Sequence, residues 1–407
     1  MEAAAPVVLV GGGHAAAAFV NSVRRAGYQG RVLLVGDEPV LPYHRPPLSK
    51  KYLADALPVD QIYIRAAAWY EEQQVELHLG QRVEAIEREA RRVRLAGGGI
   101  IAYDRLVLMT GARPRRLPAA IGGDLSGVLL MRSLADADAL APHLAAGKRM
   151  LVVGGGYIGL EAAAVAASKG LQVTLLEAAP RILQRVAAPA TADWFRALHR
   201  GHGVDLREGV SLRRLLADGD RVCGAELDDG RRVDADVVLV GIGVMPNVEL
   251  ADACGLAVDN GIVVDALCRT SDPLILAAGD CCSFDYRGQR IRLESVQNAN
   301  DQAAAAAHTV AGQDKPYVAL PWFWSDQYDC KLQIAGLNLG YDDVVARPGK
   351  TERSRSVWYY RGEQLLAVDA INDAAAFVTA KKLLERGAGV PKAWAADTAS
   401  EFRTWLS

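Results

Sequence analysis

The apolar positions of this 407-residue chain gather in short unbroken runs, and two of those runs carry the same punctuation. Residues 7–10 (Val-Val-Leu-Val) enter Gly11-Gly-Gly13-His14-Ala15-Ala16 and a helical run to Arg25. A second apolar run at 32–35 then ends on Gly36-Asp37-Glu38. Leu151-Val-Val likewise enters Gly154-x-Gly156-x-x-Gly159, an Ala-rich helix spans Glu161 to Ser168, and a strand at 173–176 ends on Glu177. Continuous apolar runs bounded by glycine predict strands buried on both faces of a parallel sheet. Strand, glycine turn, helix, strand and terminal acid is the order of a dinucleotide site. The first glycine makes the turn, the second lets a pyrophosphate approach the helix N-terminus, and the third lets helix pack on strand. The acid accepts from the adenine ribose hydroxyls. In the first copy Ala16 stands at the third position, where packing tolerates it. Asp37 is the better-placed acid and Glu38 the alternative; this copy reads as a second dinucleotide unit, with a ligand-free crossover as its alternative.

The duplication extends further. Residues 105–109 form a buried strand closing on Thr110-Gly111, and residues 236–240 form another ending in Gly241-Ile-Gly243. Between the glycine units, residues 62–72 predict a short strand and helix and 75–79 a strand. Residues 81–103 alternate in hairpin fashion around Gly97-Gly98-Gly99. A helix at 133–144 contains Asp136 and Asp138 and follows Arg132, which meets a phosphate or flavin edge or is a surface arginine. The loop Leu41-Pro-Tyr-His-Arg45-Pro46-Pro47-Leu-Ser-Lys50 is stiffened by proline. It holds Lys50 or Arg45 over a cofactor, or is a solvated basic turn. Beyond the second glycine unit, 194–199 reads as amphipathic helix and 203–233 as short antiparallel strands.

A strand then ends in Ala278-Gly279-Asp280, whose carboxylate suits a ribitol hydroxyl or caps the next helix. Cys281 and Cys282 read as core residues at a helix start, and Glu294-Ser295-Val296 leads into an Ala-rich helix. The last region opens on Pro321-Trp322-Phe-Trp324-Ser-Asp326-Gln327-Tyr328. It continues through strands at 331–337, 356–360 and 365–369 and a helix at 374–385, an α+β pattern. The tryptophan pair suits either a core or a ring-shaped ligand.

Composition narrows the class. Hydrophobic residues are 51% and charged residues 23%, ordinary for a globular chain of two or three domains. A formal net charge of -2 gives no general pull toward nucleic acid or anionic membrane, and no apolar run is long enough to span a bilayer. The six cysteines show no C-x-x-C spacing, so no metal site is expected. With no basic segment before the first apolar run, reduced thiols imply a cytoplasmic location. Two nucleotide units and a distal Gly-Asp strand imply FAD on the first unit and NADH on the second. Flavin disulfide reductases need a cysteine pair after the first acid and a C-terminal histidine. No cysteine lies between Gly36 and Tyr52, and no histidine follows His308. Electrons therefore leave directly to a protein carrier, oxygen or a small acceptor.

The motifs Pro42-Tyr-His-Arg-Pro-Pro-Leu-Ser-Lys50, Val152 to Glu161, Thr270-Ser-Asp-Pro-Leu-Ile, Ala278-Gly-Asp280, Glu294-Ser-Val-Gln-Asn-Ala and Pro321 to Tyr328 run through nearly the whole chain. Together they resemble the FAD-dependent NADH:ferredoxin reductases of putidaredoxin-reductase type. The resemblance implies two Rossmann-like dinucleotide-binding domains in a glutathione-reductase-like arrangement, with a C-terminal α+β domain. It places FAD on 1–113 and 244–320, NADH on 114–243, and the third domain at 321–407. It implies single-electron transfer to a 2Fe–2S ferredoxin that serves a monooxygenase or dioxygenase, with no nucleic-acid or membrane partner. Ala15, Asp37, Lys50, Val83, Arg132, Asp280 and Val296 would contact FAD, and Gly156, Ile158, Glu177 and Gly241 would line the NADH site. His14, Arg45, Pro46, Tyr157 and Ser295 belong to the same cofactor-binding motifs. Lys50 and Glu161 would lie by the reacting rings, and Trp322 against the flavin. The helix from Ala303 to Ala307 carries no basic residue, a departure from docking through a positive patch there. A flavin NADH oxidase or diaphorase, or a redox sensor akin to apoptosis-inducing factor, is the alternative. Glu177 would repel a 2′-phosphate and so favour NADH, with Arg181 near enough to admit some NADPH.

Overall fold

The computed structural model describes residues 5–55 and 57–406; part of the N-terminal stretch read above for targeting signals, residues 1–4, lies outside them. The fold is α/β with a C-terminal α+β domain. By contacts the chain divides into two compact units. Unit 1 comprises Met1–His44, Pro58–Arg113 and Met245–Ala319, and unit 2 comprises Arg45–Leu57, Pro114–Val244 and Leu320–Ser407.

Unit 1 is built on a five-stranded parallel sheet in the order Ile275–Ala277, Arg105–Leu108, Val7–Val10, Val32–Gly36, Val75–Leu79. All four residues of Val7–Val10 are buried, as a strand covered on both faces must be. Helices His14–Arg25 and Val296–Val310 lie against each other, and Phe19, Ala303 and Ala306 share one core with the sheet. The antiparallel strands Val83–Glu87, Arg92–Leu95 and Ile100–Ala102 form a separate small sheet.

Unit 2 repeats the plan. Its parallel sheet runs Asp205–Glu208, Gln172–Glu177, Arg149–Val153, Val237–Val240, Val128–Leu129. The same unit holds an antiparallel sheet ordered Trp322–Gln327, Cys330–Gly336, Gln364–Ile371, Arg355–Arg361, Asp343–Pro348, with helix Ala374–Glu385 packed on it. Buried Arg347 fastens the C-terminal segment by donating to the carbonyls of Ala395, Asp397 and Ser400.

Three expectations change. Asp205–Glu208 is a parallel neighbour of Gln172–Glu177, not a member of an antiparallel set, because its short polar sequence forms the sheet edge. Cys281 and Cys282 are fully buried, but Cys282 begins the strand Cys282–Tyr286 instead of a helix. Asp280 therefore has no following helix to cap. Residues 62–72 contain one isolated bridge, Tyr43 to Tyr63, and the helix Ala67–Glu72.

Candidate functional site

In both units the glycine turn sits at the carboxyl end of the central strand, where the strand order reverses and open α/β sheets bind ligands. Gly11 has φ +120°, and a Cβ there would stand 2.1 Å from the Met109 carbonyl oxygen, at the end of the neighbouring strand. Gly154 has φ +111°, and its Cβ would stand 2.4 Å from the Gly241 carbonyl oxygen. Only glycine fits such a crossing. Gly159 is as tight, with a Cβ 2.1 Å from the Gly154 carbonyl oxygen, while Ala16 is fully buried at the matching position. The second glycines differ in kind. A Cβ on Gly13 or Gly156 would meet nothing within 4 Å. These residues cap helices His14–Arg25 and Tyr157–Ser168, so open space lies against two helix N-termini. Such space, lined by main-chain N–H groups at a positive dipole end, fits a pyrophosphate. Each unit thus has a glycine turn that fits the pyrophosphate of a dinucleotide such as FAD or NAD(H).

The acids follow the same logic. Asp37 is exposed just past Val32–Gly36, while Glu38 is half-buried and accepts from the Tyr43 hydroxyl at 2.5 Å. Glu177 accepts the Gly155 N–H at 2.7 Å through Oε2 and the Ala179 N–H at 2.7 Å through Oε1. Each oxygen keeps a lone pair for a further donor.

Among the other expected residues of unit 1, Ala15 is buried at the first turn of its helix, and His14 rests beside His44 with centroids 5.4 Å apart. Val83 buries its side chain in the core, so it can offer a ligand main-chain groups only. Thr110 and Gly111 are pinned to Asn247: Thr110 donates to its carbonyl, and Asn247 donates to the carbonyls of both. The Gly279 N–H donates to Gln302 Oε1, and Asp280 is half-buried beside it. Ser295 caps helix Val296–Val310, where Val296 opens the first turn.

In unit 2, Ile158 is 43% exposed beside the open glycine. Tyr157 is turned inward, its ring 5.0 Å from that of Phe323. Gly241 ends its strand, and the Gly243 carbonyl accepts from the Arg115 N–H. Arg45 donates to the Arg132 carbonyl, while the Arg132 and Ser133 N–H groups reach the Asp136 carboxylate in a capping box. Pro46 opens a short 3-10 turn, Pro46–Ser49, that presents Ser49 and then Lys50.

A buried polar cluster surrounds Glu161, which is 1% exposed on helix Tyr157–Ser168. Its Oε2 accepts from Lys50 Nζ at 2.6 Å and from Ser49 Oγ at 2.6 Å; its Oε1 accepts from Ser325 Oγ at 2.6 Å. Lys50 also donates to the Pro46 carbonyl at 3.4 Å. A buried carboxylate is tolerable only with a paired charge and satisfied oxygens, and both are present. Strand Trp322–Gln327 explains the supply of Ser325. Successive side chains alternate faces, so Phe323, Ser325 and Gln327 share one face, with Phe323 on Tyr157 and Ser325 on Glu161. Trp322 and Trp324 share the other, stacked with centroids 5.6 Å apart, and Phe377 stands against Trp322. The sequence does not mark Ser49 and Ser325 as partners of Glu161. Their only sequence signal is a hydroxyl inside motifs otherwise rich in proline or aromatics.

Among the described residues no group of histidines, cysteines and acids could hold a metal ion, and no helix is long and apolar enough to cross a membrane. The pyridine nucleotide-disulphide oxidoreductase family matches residues 5–303, and the reductase C-terminal family matches residues 322–406. Putidaredoxin reductase CamA of Pseudomonas putida is 43% identical over 94% of this chain and 92% of its own. Rhodocoxin reductase of Rhodococcus erythropolis is 41% identical over 96% of this chain and 92% of its own. The crystal structure of a covalent putidaredoxin reductase–putidaredoxin complex superposes with a TM-score of 0.96 at 41% identity, covering 100% of this chain and 99% of that one. The ferredoxin reductase of the CYP199A2 system from Rhodopseudomonas palustris gives 0.95 at 42% identity, over 99% and 100%. The chain belongs to the pyridine nucleotide-disulphide oxidoreductase family, in its branch of FAD-containing, NAD-linked ferredoxin reductases.

Proposed function

We propose that this enzyme oxidises NADH and delivers the electrons one at a time, through FAD, to a 2Fe–2S ferredoxin that serves a monooxygenase or dioxygenase. The observation that carries the reading is the duplicated glycine turn, one copy in each unit, with open space at Gly13 and at Gly156. The partner class is supported by similarity to the reductase of the putidaredoxin complex and, at 41% identity, to the reductase of a Burkholderia cepacia anthranilate 1,2-dioxygenase system. Flavin accepts a hydride and can release the electrons singly, which nicotinamide cannot. One NADH and two oxidised ferredoxins yield NAD⁺, two reduced ferredoxins and one proton.

In this reading FAD belongs to 1–113 and 244–320, with Gly11, Gly13 and Asp37 holding its pyrophosphate and ribose and Asp280 its ribitol. NADH belongs to 114–243, with Gly154, Gly156 and Glu177 in the matching roles and Ile158 covering it. Residues 321–407 form the third domain. Lys50, Glu161 and Trp322 are the catalytic residues. Lys50 and Glu161 supply a charge pair whose balance can follow a change of charge on the reacting rings. The enzyme works in the cytoplasm, consistent with four of its six cysteines being buried as thiols.

The test is anaerobic stopped-flow mixing with NADH and then with oxidised 2Fe–2S ferredoxin. Rapid flavin bleaching followed by re-oxidation matched to ferredoxin reduction is expected. Bleaching without transfer to several such ferredoxins would favour an NADH oxidase or a redox sensor, and no bleaching would remove NADH from unit 2.

A further inference from the structure

The bonds around Glu161 do not stop at Ser325. Gln327, fully buried two residues along the same strand face, donates from Nε2 to Ser325 Oγ at 3.2 Å. Its Oε1 lies 2.8 Å from His199 Nε2. His199 is fully buried on helix Pro189–Gly201, and its Nδ1 lies 3.4 Å from the Tyr328 hydroxyl. The Tyr328 ring in turn stacks on exposed His202, with centroids 3.7 Å and planes 9° apart. Tyr328 is the first residue of the two-residue loop between Trp322–Gln327 and Cys330–Gly336, and it has φ +55°. A left-handed conformation is costly for an aromatic residue, so the ring is held in place against a backbone preference.

With Gln327 Oε1 facing His199, the donor inventory sets the direction of the remaining bonds. Gln327 Oε1 can only accept, so His199 carries its proton on Nε2. Its Nδ1 is then free to accept from Tyr328. That bond in turn keeps the Gln327 amide from flipping, since a flipped amide would point NH₂ at the imidazole N–H. With the amide held, its NH₂ fills a lone pair of Ser325 Oγ, and the single Ser325 proton turns to Glu161 Oε1. Tautomer, amide, hydroxyl and carboxylate thus form one self-consistent set, in which a change at any member disturbs the next. Burial keeps the imidazole neutral, pulling its pKa down to about 4 against the opposing bond to Gln327. The imidazole therefore stays neutral at working pH, as this arrangement requires.

We propose that His199 and Gln327 are positioning residues of the reductase, acting through Ser325 to hold the Glu161 carboxylate in the orientation that presents Oε2 to Lys50. This rests on the proposed NADH reaction for the role of the Lys50–Glu161 pair, but not for its geometry. An amide is a poor proton carrier, so the chain orients the carboxylate and does not conduct.

Two readouts test it on the FAD-loaded enzyme. In anaerobic stopped-flow, Gln327→Leu and His199→Phe should each slow flavin reduction by NADH about tenfold, the loss expected when one hydrogen bond that orders a charged group is removed. The NADH Kd should stay within about twofold of the parent. His199→Gln, which can return an N–H to Gln327, should recover most of the rate. Equal impairment in His199→Phe and His199→Gln, or a parental rate in Gln327→Leu, would overturn the proposal. The second readout is a crystal structure of Gln327→Leu, in which Glu161 Oε1 should leave Ser325. An unmoved Glu161 would refute the positioning role whatever NADH does. Failure of the parent enzyme to be reduced by NADH would instead strike the proposed function.

Discussion

Glu177 reaches back across the glycine turn, so that Oε2 accepts the Gly155 N–H while Oε1 accepts that of Ala179. The acid of the nucleotide motif is thereby also a brace of the turn that would receive the pyrophosphate. Replacing it should have two separable effects. Glu177→Ala should narrow the preference for NADH over NADPH, read as the ratio of kcat/KM values, because the charge that repels a 2′-phosphate is gone. It should also cost about 2 kcal/mol of stability from the two lost charge-assisted bonds. Glu177→Gln keeps an acceptor and should recover most of the stability but not the selectivity. An unchanged ratio in Glu177→Ala would remove this residue from cofactor choice.

The two glycines of the unit 2 turn should fail in opposite ways. A methyl group on Gly154 would drive into the Gly241 carbonyl in a left-handed conformation, whereas one on Gly156 would enter open space. Gly154→Ala should therefore lower the melting temperature markedly, by roughly 3 kcal/mol or more of clash and strain. Gly156→Val should melt like the parent yet lose NADH binding, measured by titration of the oxidised holoenzyme with NAD⁺. A parental NAD⁺ affinity in Gly156→Val would mean that the open space is not the nucleotide's.

Stability should respond to pH through two buried groups of unit 2 that oppose one another. Burial pulls His199 from 6.5 to about 4, so between those values the unfolded chain takes up a proton that the folded one refuses. That contribution, about 3 kcal/mol, is present above pH 6.5 and lost as pH falls toward 4. Asp369, hydrogen-bonded by Tyr359 and Thr191, is pushed up by burial from 3.8 to about 6. The folded chain keeps that proton where the unfolded one has released it, so a similar contribution, about 3 kcal/mol, is present at pH 3.8 and lost as pH rises to 6. Between pH 4 and 6 the slopes nearly cancel. His199→Gln should make the melting temperature fall across that window, and Asp369→Asn should make it rise. Calorimetry at pH steps checks both, and variants that shift the curve without tilting it would defeat the assignment.

The parts of the site that depend on the main chain were readable along the sequence. Gly11 and Gly154 announce crossings that no side chain survives, and the acids follow at strand ends. What was not readable depends on residues far apart in the chain. Ser49 and Ser325 converge on Glu161 from 112 and 164 positions away, and spacing carries no trace of that meeting. His199 offered one hint: it shares the buried face of its helix with Thr191, Ala192 and Phe195, an uncommon place for an imidazole. Asp205–Glu208 escapes sequence patterning because a polar edge strand looks alike in parallel and antiparallel sheets until its neighbour is known. Cys282 escapes it because a Gly-Asp turn can open a strand as readily as a helix.

The strand Trp322–Gln327 has a bearing on how this enzyme can diverge. Its odd positions serve Tyr157 and Glu161, while its even positions carry the tryptophan pair. Trp324 can therefore change without disturbing the carboxylate, whereas Trp322 is fixed by its proposed place among the catalytic residues. A one-residue insertion or deletion before Ser325 would exchange the two faces and abolish both at once. Length is thus held in this segment as firmly as the identities of Trp322, Ser325 and Gln327.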